Sequence, residues 1–227
     1  MKHGKNIVNA KKKVDKTILY NIEDAVLLMK EIKFAKYDET VEASIKINHK
    51  SFQNIRGTVK LPHGNGKEKK ILVLCKGDKQ DEAKEAGADH VGAEDLIEKI
   101  KGGWIDFDAV VATPEMMKDV GKLGPILGKK GLMPKPKNGT VTLDIKGILK
   151  ELKGGRVDYK ADKTGVVHLG LGKISFDNLK LIENIESFYK QIIRDKSPDA
   201  KGNYIKSLHI SSSIGAGIKI NHKGINK

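Results

Sequence analysis

The chain has 227 residues and a formal net charge of +14, because 43 lysine and arginine residues outnumber 29 acidic ones. This excess favours polyanionic partners, either nucleic acid or an acidic membrane surface. The single cysteine, Cys75, excludes an internal disulfide and a cysteine-based zinc cluster, which suits the reducing cytoplasm. No run of 18 apolar residues is present, so we expect no membrane span.

The N-terminal segment has six lysines among its first 16 residues and lacks the apolar region of a signal peptide. Runs of like charge at a chain end are usually solvated. We expect either a mobile basic arm that becomes ordered on RNA or a solvated tail without function.

A helix, two strands and a domain exit are predicted before residue 67. Asn21 is placed to cap a helix that begins at Ile22. Residues 40–47 then alternate between polar and apolar side chains, the period of a half-buried strand. A strand that includes Gly57 runs into the Gly- and Pro-rich residues 61–66, which are typical of an exit from a domain.

From Ile71 onward, uniformly apolar strands alternate with helices. The strands are expected at residues 71–75, around His90 and at 109–112, and the helices at 81–86, at 93–100 and from Pro114. Apolar strands of this kind belong to parallel sheets that are covered on both faces. Residues 67–155 are therefore predicted to form an inserted, Rossmann-like open α/β domain.

The hexapeptide IKINHK occurs twice, at residues 45–50 and 218–223. The flanking residues differ, which argues against an internal duplication. Both copies have the alternation of a half-buried strand, and a helix over about 176–193 precedes the second copy. If both strands belong to one sheet, the chain ends meet. We therefore predict a discontinuous α+β sandwich from residues 1–66 and 156–227, with helices on one side of an antiparallel sheet.

The segment GKLGPILGKKGLMPKPKNGTVT, residues 121–142, combines glycines with lysines. It lacks the spacing of a Walker loop, because only three residues separate Gly124 from Gly128. A KH-type G-x-x-G loop at 128–131 is disfavoured by the prolines that follow it. The interpretation that remains is a stiff loop whose charges suit the binding of phosphate oxygens. These charges are on Lys129, Lys130, Lys135 and Lys137.

Catalytic patterns are absent from the sequence. The seven histidines lack metalloprotease spacing, and no nucleophile elbow occurs. Asp106 and Asp108 are interpreted as turn carboxylates. Eleven aromatic residues and no RRM-type motif disfavour base stacking on a sheet. We therefore expect no enzymatic activity, no cofactor and no metal, but recognition of folded RNA by shape and backbone.

Two polar stretches suit such recognition. Glu42, Ser44 and Lys46 occupy the outward positions of the first predicted strand, close in sequence to Lys36 and Tyr37. Near the other end, serines at positions 211 to 213 precede a glycine. Small hydroxyl residues beside glycine allow a nucleic-acid backbone to approach closely.

The run DFDAVVATPEMMKDVGKLGPILGKKGLMPKPKNGTV, with AKYDETVEASIKI before it and SSSIGAGIKIN after it, resembles the family of bacterial large-subunit ribosomal protein one. The resemblance covers nearly the whole chain. It implies a two-domain structural constituent of the large ribosomal subunit that binds rRNA and forms the mobile stalk beside the E site. It also implies release of deacylated tRNA, repression of the protein's own mRNA through its leader, and a monomeric state away from the ribosome.

The resemblance also implies where RNA is bound. Its first-rank positions are Tyr37, Thr40, Glu42, Lys46, Ser213, Ile214 and Gly215, to which the two polar stretches add Lys36 and Ser211. Its second-rank positions are Asp162, Lys163, His168 and Lys173, and the Gly- and Lys-rich segment adds Lys129, Lys130, Lys135 and Lys137 at the same rank. The chain departs from the family pattern where Tyr37 replaces a common Phe and where Ser213-Ile214 replaces Thr-Met.

Alternatives remain at this point. A small-molecule α/β enzyme or a phosphate-binding protein fits the predicted parallel sheet, because a fold does not decide function. An RNA-directed regulator outside the ribosome is the nearer alternative. The connections near residues 64–66 and 155–160 are expected to act as hinges between the domains.

Overall fold

The computed structural model describes residues 4–48, 55–77, 79–196 and 203–225. The chain forms two compact units. The end-built unit consists of Met1–Gly66 and Gly155–Lys227, and the inserted unit consists of Lys67–Gly154. The predicted fold class, a discontinuous α+β domain with an inserted open α/β domain, is confirmed.

The helices and strands follow one another along the chain in this order: α1 (Lys5–Lys13), α2 (Ile22–Glu31), β1 (Thr40–Ile47), β2 (Arg56–Lys60), β3 (Ile71–Leu74), α3 (Lys79–Glu85), β4 (His90–Gly92), α4 (Glu94–Lys101), β5 (Ala109–Ala112), α5 (Met117–Gly121), α6 (Gly124–Lys130), α7 (Ile145–Lys153), β6 (Arg156–Lys160), β7 (Val166–Lys173), α8 (Asn178–Arg194), β8 (Ile205–Ser212) and β9 (Ile218–Ile220).

A four-stranded antiparallel sheet in the order β7-β1-β8-β9 organises the end-built unit. The strands of the two hexapeptides lie on either side of β8, since Leu208 is paired with Ile45 and with Ile220. Both copies thus belong to one sheet, as predicted, but they are not direct neighbours. His49 and Lys50 of the first copy lie outside the described residues.

One side of this sheet carries the core. Val41, Ala43, Ile45 and Ile47 are at most 2% exposed and share a cluster with apolar residues of α2 and α8. Between them, Glu42 is exposed, and Ser44 and Lys46 are half-buried. This alternation follows from the two-residue period of a strand. It leaves a polar face on the side away from α2 and α8, which we call the polar face.

The expectation of a mobile basic arm is wrong for the described part of the N-terminus. Residues Lys5–Lys13 form α1, and Ala10 is buried in the core of the end-built unit together with Val14. The signal was present in the sequence, because Ile7, Ala10 and Val14 recur at helical spacing. The lysine run concealed this apolar stripe.

The second connection between the units is shorter than expected. Residues Arg156–Lys160 form β6, which pairs antiparallel with β2 within the end-built unit, with Thr58 opposite Asp158. Gly155 immediately precedes this strand and has φ +97. A Cβ atom on Gly155 would lie 2.5 Å from the Cα of Gly64, so no side chain fits where the two connecting segments meet.

The inserted unit is a parallel sheet in the order β4-β3-β5. All four residues of β3 are buried. Ile71 and Val73 pack with apolar residues of α3 and α7, whereas Leu72 and Leu74 pack with α4, α5 and α6. Helices thus cover both faces, as the apolar strands predicted. Helix α7 was not predicted.

The segment 121–142 is not the stiff loop expected from its glycines and prolines. Lys129 and Lys130 form the last turn of α6, which ends at the left-handed Gly131. Lys135 precedes a 3₁₀ turn, Pro136–Asn138, which contains Lys137. Pro125 is tolerated because it occupies the first turn of α6, where its missing N–H is not needed.

Asn184 of α8 is fully buried and secures the first connecting segment. Its amide nitrogen donates to the carbonyl oxygens of Gly64 at 2.9 Å and Leu171 at 2.7 Å. Its side-chain oxygen accepts from the backbone N–H of His63 at 3.2 Å. One side chain therefore joins α8, β7 and the exit from the end-built unit.

We expect Asn184→Leu to lower the free energy of unfolding by at least about 2 kcal/mol, since it leaves buried backbone groups without partners. Urea denaturation measures this change. Leu179→Ala on the same helix is the control. Leu179 is 72% exposed, so its truncation should change stability by less than about 0.5 kcal/mol. Equal effects of the two substitutions would contradict the anchoring role of Asn184.

Candidate nucleic-acid interface

The sheet topology brings distant segments together at one end of the polar face. Because β1 is antiparallel to both β7 and β8, its first residue lies beside the last residues of these strands. Thr40 is paired with Lys173, and Val41 with Ser212. The turn Ser213–Gly215, which follows β8, is therefore next to the start of β1. We call this end of the sheet the RNA-candidate edge.

Hydrogen bonds tie the two chain ends together at this edge. The backbone N–H of Thr40 donates to the Ser213 hydroxyl at 3.1 Å, and this hydroxyl donates to the Thr40 carbonyl oxygen at 3.4 Å. The Lys173 ammonium donates to the Thr40 hydroxyl at 3.2 Å and to the carbonyl oxygen of Asp38 at 3.3 Å. Three of the predicted contact residues thus form one connected group.

The Ser213–Gly215 turn is held from beneath by a buried carboxylate. Glu39 is only 1% exposed and accepts from the backbone N–H of Ile214 at 3.2 Å. The N–H of Gly215 donates to the carbonyl oxygen of Ser212 at 3.0 Å. A Cβ atom on Gly215 would lie 2.3 Å from the Ser212 hydroxyl oxygen, so a side chain at this position would force that hydroxyl to move.

Two large side chains project into solvent at the same edge. Tyr37 is 54% exposed and Ile214 is 44% exposed. Lys36, beside Tyr37, is also exposed. The backbone around Ile214 is fixed by hydrogen bonds while its side chain stays solvent-accessible. The segment before β1 and the Ser213–Gly215 turn thus present an aromatic ring, a cation and an aliphatic group, which suits contact with a partner.

The middle of the polar face carries small polar groups. Glu42 is opposite Gly170 on one side and Ser211 on the other. Ser44 is hydrogen-bonded to Nδ1 of His168 at 2.9 Å. Ser44, Ser211 and Gly170 have a short side chain or none, so a nucleic-acid backbone can approach the sheet closely at these positions.

The far end of the polar face is built around Asp162. Its carboxylate accepts from the N–H groups of Thr164 and Val166, each at 2.8 Å, and from the Thr164 hydroxyl. These donors, with the Val166 N–H as the largest cause, lower the pKa of Asp162 to about 2. Lys163 is exposed in this turn, and the Lys46 ammonium donates to the Thr164 carbonyl.

The four lysines of residues 129–137 belong to the inserted unit, whereas all other predicted contact residues belong to the end-built unit. The two units also differ in charge. The end-built unit has 26 basic and 14 acidic residues, a net charge of +12, whereas the inserted unit has 17 and 15, a net charge of +2. Attraction for a polyanion is therefore concentrated in the unit that carries the polar face.

Three residues of the site were not predicted from the sequence. Glu39 looked like one more surface acid, and only its buried place under Ile214 reveals its role. Asp38 accepts from both the N–H and the hydroxyl of Ser175 at 3.1 and 2.8 Å, which orders the start of β1. His209 lies opposite Ser44 on the polar face, and burial, followed by the charge of Lys219, lowers the pKa of its imidazole.

Comparison with known proteins identifies the family. The sequence model of the ribosomal protein L1p/L10e family matches residues 29–216. The chain belongs to this family. It is 58% identical over 223 residues to the large ribosomal subunit protein uL1 of Leptospira biflexa, covering 98% of this chain and 97% of the relative.

Other members of the uL1 group are similar over the same length. The uL1 protein of Borreliella burgdorferi is 54% identical over 220 residues, which is 97% of each chain. That of Treponema denticola is 51% identical over 223 residues, covering 98% of this chain and 99% of the relative. The resemblance seen in the sequence is thereby confirmed.

Family membership makes this chain a structural constituent of the large ribosomal subunit and not an enzyme. Its place is thus the ribosome of the cytoplasm. The alternatives of a small-molecule enzyme and a phosphate-binding protein are set aside. In the described part of the chain, no helix is long and apolar enough to cross a bilayer.

The low pKa of Asp162 has a measurable consequence. A carboxyl group whose pKa is lower in the folded state stabilises that state above its unfolded pKa, and this contribution is lost as pH falls towards 2. We expect the ¹³C carboxyl resonance of Asp162 to titrate with a midpoint near 2. Thr164→Val removes the hydroxyl donor and should move the midpoint up towards 3.8. A midpoint that stays unchanged in Thr164→Val would contradict the contribution assigned to the Thr164 hydroxyl.

Proposed function

We propose that the end-built unit binds a folded region of large-subunit rRNA through the RNA-candidate edge and the adjoining polar face. The observation that carries the proposal is the meeting of Tyr37, Thr40, Lys173 and Ser213–Gly215 at one sheet end on the unit of charge +12. Tyr37 and Thr40 are more than 100 positions away in the chain from Lys173 and from Ser213–Gly215.

The chemistry of the face suits RNA backbone recognition. Hydroxyl groups of Thr40, Ser211 and Ser213, the Glu42 carboxylate and exposed backbone offer hydrogen-bond partners for ribose 2′-hydroxyl groups. Lys46, Lys163 and Lys173 offer charge for phosphates. An aromatic side chain is present at the edge, but the face has no row of rings for stacking successive bases. Shape and backbone recognition is therefore favoured over reading of a single-stranded sequence.

Three finer roles complete the proposal. The rRNA complex forms the mobile stalk beside the E site, with the end-built unit as its anchor. In that position the protein assists release of deacylated tRNA. The same polar face binds the leader of the protein's own mRNA and represses its translation, which requires the leader to imitate the rRNA fold. The two connecting segments support mobility, since only they join the units covalently.

The experiment that tests the function is binding of the full chain to tiled large-subunit rRNA transcripts across a salt series, with a scrambled hairpin as the control. We expect one fragment to bind tightly and to stay bound at high salt. The mRNA leader should compete with it. Lys46→Ala should reduce the slope of log K against log salt by about 0.9, equal to one phosphate contact.

Lys150→Ala in α7 of the inserted unit is the matched charge control, and its slope should equal that of the wild type. Weak binding to every fragment, lost with salt, would mean that the chain is merely a basic surface. An equal change of slope in both variants would show that net charge, not the polar face, determines binding.

A pair of glycines tests the RNA-candidate edge without changing charge. Gly215→Ala places a Cβ against the Ser212 hydroxyl, which must then move within the Ser212–Gly215 turn, whereas a Cβ on Gly217 meets no atom within 4 Å. We expect Gly215→Ala to weaken rRNA binding by about 1–3 kcal/mol, roughly 5- to 150-fold. Gly217→Ala should bind within about twofold of the wild type.

The rRNA affinity of both glycine variants is measured by titration at fixed salt. Their melting temperatures show whether they are folded. If Gly215→Ala keeps full affinity while its turn is displaced, as seen in amide chemical shifts of Ile214, the edge is not the RNA contact.

A further inference from the structure

A cavity of about 550 Å³ adjoins the RNA-candidate edge and is not explained by the backbone recognition proposed above. It is lined by residues at the start of α1, by one residue after α2 and by one residue of the Ser213–Gly215 turn: Gly4, Lys5, Asn6, Ile7, Phe34 and Ile214. Its volume lies within the range of small-molecule sites, roughly 300–1,000 Å³. Its wall includes Ile214, so the cavity is continuous with the edge.

The walls of the cavity suit a flat, apolar ring. Phe34 is partly buried against the core of the end-built unit, which holds its ring in place. Ile7 is half-buried, and Ile214 stands on a turn whose backbone is fixed by Glu39. An aromatic ring held between aliphatic groups is the environment in which proteins stack unpaired bases.

The rim of the cavity suits a negative charge and a hydrogen-bonding edge. The N-cap of α1 is Gly4, which has no side chain to accept from the first-turn N–H groups, and the first turn holds no acidic residue. These N–H groups and the Lys5 ammonium both favour a phosphate. The side-chain amide of Asn6 can pair with the edge of a base.

We propose that this cavity binds one unpaired nucleotide of the bound RNA, with its base against Phe34, Ile7 and Ile214 and its phosphate beside Lys5. The proposal rests on the proposed function and adds a sequence-reading contact to it. RNA is favoured over an apolar peptide because the unit carries +12 and the cavity opens beside the proposed RNA contacts. Helix α1 thereby gains a role in recognition, which its lysine content alone did not specify.

The test pairs a protein change with an RNA change. The probe is the tightest-binding rRNA transcript of the tiled set, remade with each unpaired nucleotide replaced in turn by an abasic residue. In the wild type we expect one abasic position to weaken binding at least about fivefold, the lower end of base–aromatic stacking. In Phe34→Leu, which keeps apolar volume but loses the ring, the same abasic residue should cost less than about twofold.

Matched lysines supply the control for charge. Lys5→Ala and Lys12→Ala each remove one cation from the same helix, but only Lys5 lines the cavity. Lys5→Ala should weaken binding of the intact transcript more than Lys12→Ala does, and melting temperatures should show that all variants are folded. An apolar peptide-binding site would leave the RNA affinities of Phe34→Leu and Lys5→Ala at the wild-type value.

The outcomes separate this inference from the proposed function. The wild type can bind one transcript tightly while each abasic residue weakens binding to Phe34→Leu as much as binding to the wild type. In that case the cavity does not hold a base and the inference is overturned, while the rRNA-binding function stands. If the wild type binds no transcript specifically, both fail. The inference is supported if one abasic residue no longer weakens binding to Phe34→Leu, while abasic residues at other positions weaken it as they do in the wild type.

Discussion

The central place of β1 between β7 and β8 is the constraint on which the end-built unit depends. Both edges of β1 are paired with strands that lie more than 100 residues further along the chain. The unit therefore cannot close before the inserted unit has been synthesised and its two ends have been brought together. Long-range pairing of this kind carries a large loop-closure cost, which a folded insertion reduces because it holds its ends in place.

The same constraint creates the proposed binding surface. Neither chain end alone contains the RNA-candidate edge, because Thr40 and Ser213 become neighbours only when β1 pairs with β8. Glu39 and Asp38 hold the turns on either side of this junction through backbone N–H groups. A carboxylate buried beneath a binding turn contributes order without being exposed to the partner, so the outward groups are fixed before RNA arrives. Such preorganisation lowers the entropy that binding must overcome.

The distribution of charge separates the roles of the units. A net charge of +12 on the end-built unit and +2 on the inserted unit means that long-range attraction for RNA acts mainly on the former. In the proposed function the polar face supplies short-range selection through hydroxyl groups, glycine and backbone, and the proposed role of the cavity beside α1 is to hold a base. Under this proposal we expect the acidic groups of the surface, Glu42 and Asp162, to limit non-specific binding, because a phosphate placed against them is repelled.

Much of the fold could be predicted from local patterns. Alternation in residues 40–47 and uniform apolarity in 71–74 specify a half-buried strand and a fully buried one, because the side-chain period of a strand is two. The repeated IKINHK correctly indicated one sheet, and the RNA-candidate residues followed from motifs that resemble the family. Local patterns failed where two signals competed. The lysines of residues 11–13 concealed the apolar stripe of α1, and the glycines and prolines of 121–142 concealed α6.

What the sequence by itself determined was most of the strands and helices, the concentration of positive charge and the family. Only the tertiary structure decided that the hexapeptide strands are separated by β8, that Glu39 lies beneath Ile214, and that the start of α1 meets the Ser213–Gly215 turn at a cavity. The physical reason is that periodicity reports which side of an element is buried, not against which distant element it packs. The partner is selected by registry and closure of the whole sheet.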